Sequence, residues 1–116
     1  MTDLARRAVA CAMWRWLPGM LARYGDGQAW YRLTEGNGYG LPVRHRPPNP
    51  RDAWPDLTDP ATLGCLLALV REAWGGCDTY LYPGSGKGDW WCSAGDHDFH
   101  ATTEAEALVA ALEAAP

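Results

Sequence analysis

Apolar residues recur at helical spacing most cleanly in DPATLGCLLALVREAWGG, residues 59–76. Leu63, Leu66, Leu67, Val70 and Trp74 share one face there, with Arg71 and Glu72 off it. Asp59 is placed to cap the first turn, Pro60 suits the first helical position, and Gly75-Gly76 can end the helix. The pattern predicts a central core helix. Leu4, Ala8, Cys11 and Ala12 make a second stripe, which predicts a helix from about Asp3 to Trp16 capped by Thr2 or Asp3. Pro18-Gly19 breaks it, because proline lacks an N–H and restricts the residue before it. MLARYG reads as a further turn. Thr103 with Glu106 three residues on is a capping box, and it opens a last helix striped by Ala105, Leu108, Val109 and Leu112.

Alternation with a period of two marks the strands. QAWYRLTE, residues 28–35, predicts one; the glycines at 36, 38 and 40 mark a turn, and YGLPV predicts a short returning edge strand. DTYLYP and DWWCSA flank GSGKG and predict a β-hairpin. Residues 44–57, RHRPPNPRDAWPDL, carry four prolines and read as a semi-extended crossing anchored by Trp54. CSAGDHDFH, residues 92–100, reads as a polar loop. The order α-β-β-α-β-β-α predicts an α+β fold, a small antiparallel sheet of about four strands packed by two to three helices. Neither half is large enough to fold alone, so residues 1–116 form a single domain.

Composition adds one outlier. Seven tryptophans stand against a single phenylalanine, and a chain this small buries only about three or four of them. Trp30, Trp74 and one of the neighbours Trp90 and Trp91 are core candidates; the other neighbour points outward, since successive strand residues face opposite ways. Charge is divided too. Residues 1–51 hold eight arginines and three acids, a net of +5, while residues 52–116 hold two bases and eleven acids, a net of −9. Either the halves neutralise each other on packing or the surface is dipolar. There is no apolar run of about 18 residues, and Arg15 with two tryptophans interrupts the first apolar segment, which argues against an export signal; the expected location is cytoplasmic, with Cys11, Cys65, Cys77 and Cys92 as reduced thiols.

Candidate chemistry is thin. PGSGKGDW lacks the Ser or Thr and the leading glycine of a phosphate loop, and it joins strand to strand. Cys92, Asp96, His97, Asp98 and His100 are zinc-ligand types without a paired Cys-x-x-Cys. Cys92 or Ser93 beside a histidine is a nucleophile–base list with no local signature. No enzyme, cofactor or metal is expected. RHRPPNPR offers a stiff basic loop, and tryptophan with arginine dominates interface hot spots. The expected partner-binding residues are therefore Trp14, Trp16, Arg44, Arg46, Arg51 and Trp54.

WRWLPGM at 14–20, PDLTDPATLGCLLALVREAW at 55–74 and the alanine-rich terminal helix resemble small proteins encoded by bacteriophages and prophages. The resemblance implies a viral accessory gene product, a class that includes inhibitors of host defence such as anti-CRISPR proteins, and it implies no catalytic residues. The expected function is a non-enzymatic accessory protein that binds a host or viral protein, in its sharpest form blocking a bacterial defence system. Two alternatives stand beside it. One is a nucleic-acid-associated protein using the arginine-rich first half; the other is a small-molecule or nucleotide binder.

Overall fold

The computed structural model describes residues 2–24, 29–33, 53–76 and 78–116. Their order is α1 (Asp3–Ala10), β1 (Leu21–Tyr24), β2 (Ala29–Arg32), β3 (Ala53–Pro55), α2 (Pro60–Ala73), β4 (Thr79–Pro83), β5 (Trp90–Ala94), β6 (His97–Ala101) and α3 (Glu104–Glu113). The fold is α+β. The described strands form two antiparallel sheets of three, ordered β2-β1-β3 and β4-β5-β6, rather than one sheet of about four. YGLPV and most of the proline-rich crossing lie outside the described residues.

All three helices start where capping chemistry places them. Thr2 Oγ1 accepts from Ala5 N at 3.1 Å, Asp59 Oδ2 from Thr62 N at 2.9 Å, and Thr103 Oγ1 from Glu106 N at 3.1 Å. α1 stops six residues short of Trp16, with Cys11 already extended. The reason is packing. In a continued helix Trp14 and Trp16 would project about 200° apart. Out of the helix their rings meet edge to face at 5.5 Å, and both lie against the core.

Three strands occupy stretches whose pattern predicts otherwise. MLARYG supplies β1, the middle strand of the first sheet, where Leu21 and Ala22 are both buried. So short a run has no period to read. Ala53–Pro55 becomes β3, an edge strand, where proline is tolerated. The expected polar loop holds β6, which returns from β5 through Gly95-Asp96. Gly95 has φ +58° and Asp96 does not turn positive, so glycine at the first loop position makes the tight hairpin.

The helix at the centre is α3, not α2. Ala105, Ala107, Leu108, Val109, Ala111 and Leu112 are buried, and α1, α2 and the second sheet all pack on α3. Its alanines let those neighbours approach closely. α2 lies on the flank, buried through Thr62, Leu66, Leu69, Val70 and Ala73, with Leu63 and Leu67 only half-buried. Trp74 at its end donates its indole N–H to Ala111 O at 2.9 Å and ties the two helices.

Candidate functional site

The second sheet has one covered and one open face. Leu81, Trp90, Cys92, Ala94, Phe99 and Ala101 point to the core and the helices. Alternation sends Tyr80, Tyr82, Trp91, Ser93, Asp98 and His100 to the other side. Trp90 is therefore the inward member of the adjacent pair and Trp91 the outward one, the division expected of successive strand residues. Cross-strand register orders this face. Tyr82, Trp91 and His100 form one row across three strands, and Tyr80, Ser93 and Asp98 the next. Tyr80 is 57% exposed and Tyr82 41%. The Trp91 and His100 rings lie 4.5 Å apart at 30°.

Asp89 closes one end of the first row. Its Oδ1 contacts His100 Nε2, and the chain at Gly84 passes directly against its carboxylate. A Cβ at 84 would collide with Asp89 Oδ2 and come within 3.1 Å of Trp91 Nε1. A side chain at 84 would therefore have to displace the Asp89 carboxylate from this corner.

Charge on this face follows from what happens elsewhere. Arg7 pairs with Glu113 at 2.6 Å, Arg15 with Glu72 at 2.6 Å, Arg23 with Asp56 at 2.9 Å and Arg32 with Asp59 at 2.5 Å. Each pair joins a first-half arginine to a second-half acid, so among the described residues the two halves partly neutralise each other. The Arg32 guanidinium, with Thr62 against the burial cost, holds Asp59 down at about 2. Burial works to raise Asp56, but the Thr58 hydroxyl and amide with Arg23 outweigh it and leave the carboxyl lowered. The outer face of the second sheet stands apart from these pairs. Residues 78–101 hold four aspartates, Asp78, Asp89, Asp96 and Asp98, against Lys87 alone.

The expected partner-binding residues are not gathered on one surface. Arg44, Arg46 and Arg51 lie outside the described residues. Trp14, Trp16 and Trp54 are half-buried against the core. The indole nitrogens of Trp14 and Trp54 are buried, with no hydrogen-bond partner among the described residues. Trp14 and Trp16 follow the end of α1, whereas Trp54 shares a cleft with Thr2 and Leu4 at its start. Trp30, expected in the core, is 56% exposed on the edge strand β2; in register it shares a row with Arg23 and Trp54.

The cleft beside Trp54 measures about 470 Å³ and is also lined by Leu63, Trp90, Thr103, Glu104 and Glu106. The two glutamates sit in the first turn of α3 and already complement its positive end. Cys92 is buried, and burial pushes its thiol up to about 11, so it is a protonated core residue and not a thiolate nucleophile. Among the described residues no group of three or more His, Cys, Asp and Glu side chains could hold a metal ion, and no helix is long and apolar enough to cross a membrane.

Compared with known proteins, the chain matches no family model, no curated protein and no solved structure.

Sequence reasoning missed the open face because half of it lay in CSAGDHDFH. The signal was there: Cys92, Ala94, Phe99 and Ala101 alternate with polar residues around a Gly-Asp turn.

Proposed function

We propose that this chain is a non-enzymatic accessory module that works by docking on a partner protein, with the outer face of the second sheet as its docking surface. The observation that supports this is the pair of exposed tyrosines standing beside Trp91 and His100 on a face to which no described helix packs. Rings held by a paired sheet supply contact area with little rotamer entropy to lose, which is what interface anchors need. In the sharpest form of this proposal the partner belongs to a bacterial host's defence machinery, met in the host cytoplasm, and only the resemblance drawn from residues 14–20 and 55–74 supports that step. Nucleic acid fits less well. Four arginines of the first half are engaged with carboxylates, and aspartates around the aromatic face would repel phosphate. The cleft between Trp54 and Trp90 favours a small-ligand role as the second reading.

The test is affinity capture from a bacterial host with the parent chain and with a Tyr80→Ala, Tyr82→Ala double variant. A specific protein held by the parent should lose at least tenfold in affinity to the variant, at an unchanged melting temperature. Equal binding by both would move the docking surface elsewhere.

A further inference from the structure

The partner's chemistry can be read from the same face, on the reading that this face is the docking surface. We infer that it takes an arginine-bearing segment of the partner, with guanidinium groups stacked on the Tyr82–Trp91–His100 row and paired to Asp98 in the adjacent row.

Three features converge on a cation. The first is the ring row itself, since aromatic faces attract cations, guanidinium above all because it also stacks as a plane. The second is the placement of acids. Asp98 stands exposed in the adjacent row beside Ser93, and Asp89, in contact with His100, borders the row on its other side. Rows two residues apart along a strand are about 7 Å distant, within the reach of one arginine side chain set between them. The third is the charge left after folding. Arg7, Arg15, Arg23 and Arg32 are matched with Glu113, Glu72, Asp56 and Asp59, whereas Asp78, Asp96 and Asp98 are exposed around this sheet. Folding therefore leaves Asp98 exposed on the ring face itself, and the sheet's aspartates outnumber the cations beside it, Lys87 in the β4–β5 loop and Arg71, whose guanidinium donates to Thr79 O. An aromatic sheet face alone would also suit single-stranded nucleic acid, but such sites line their rings with bases, and this one is bordered by carboxylates. A neutral oligosaccharide could stack on the rings too, yet it would draw nothing from the aspartates.

The experiment titrates the full chain with nona-arginine, nona-lysine, a neutral hexasaccharide and oligo-dT, following backbone amide shifts by NMR. Nona-arginine is expected to shift Tyr80, Tyr82, Trp91, Asp98 and His100. It should bind at least threefold tighter than nona-lysine and weaken as salt rises. Asp98→Asn should weaken it and flatten the salt dependence; Tyr80→Ala with Tyr82→Ala should weaken it about tenfold at unchanged net charge. Equal affinity for the two peptides, shifts centred on another surface, or indifference to the tyrosines would overturn the inference. Tighter binding of the saccharide or of oligo-dT would overturn it as well. A captured partner that depends on the tyrosines but ignores both salt and competing nona-arginine would leave the docking face standing and refute the arginine assignment alone.

Discussion

Thr62 shows how much one side chain settles. It is fully buried, and its hydroxyl accepts from Leu21 N at 2.8 Å while donating to Asp59 Oδ2 at 2.8 Å. Asp59 in turn takes both Arg32 nitrogens, at 2.5 and 3.0 Å. A helix cap, a strand start and an ion pair thus meet in four residues, Leu21, Arg32, Asp59 and Thr62. Thr62→Val keeps the volume but leaves the Leu21 N–H without an acceptor, and it should cost about 1–3 kcal/mol in urea denaturation. A cost below about 0.5 kcal/mol would show that the bond contributes nothing. Asp59 carries a pH prediction. Its folded pKa of about 2 lies below the ordinary 3.8, so its ionised form stabilises the fold above about pH 4 and that contribution is lost as pH falls towards 2. Asp59→Asn should therefore be less stable than the parent at pH 6, with the gap closing at pH 2. A gap of constant size, measured by urea midpoints, would contradict this. The capping role was legible in the sequence; the Arg32 pairing was not, because it joins residues far apart in the chain.

At the scale of elements, burial ranks α2 differently from its sequence stripe. Leu66 is 0% exposed, and Leu66→Ala should cost about 2–5 kcal/mol. Leu67 is only half-buried and belongs to the rim of the core, so Leu67→Ala should cost about 1–2 kcal/mol. Equal losses in chemical denaturation would restore the face drawn from spacing alone. Spacing places α2 and α3 correctly because helical periodicity, Asp59-Pro60 and the Thr103–Glu106 box are local. It mistakes which helix is central. An alanine-rich helix looks weakly amphipathic in sequence, yet small side chains are what let α1, α2 and a sheet pack around α3. β1 and β3 were illegible for a related reason: strands of three or four residues are defined by the neighbour they pair with.

For the whole molecule, the division of charge was plain in the sequence, but its consequence was not. Exposed ion pairs such as Arg7–Glu113 stabilise by little, about 0–1 kcal/mol each. Their larger effect is on the surface, since they match first-half cations with second-half acids and leave the acids of the second sheet outside those pairs. The sequence by itself determined the α+β class, all three helix starts, the β4–β5 hairpin and the opposite facing of Trp90 and Trp91. Each rests on interactions within a few residues. Only the tertiary structure decided that Trp14 and Trp16 turn inward, that Trp30 is exposed, and that the helices cover one face of the β4-β5-β6 meander and leave Tyr80, Tyr82, Trp91 and His100 on the other. Those outcomes depend on which distant segments pair and which arginines find acids, and no local pattern encodes the choice of a distant partner.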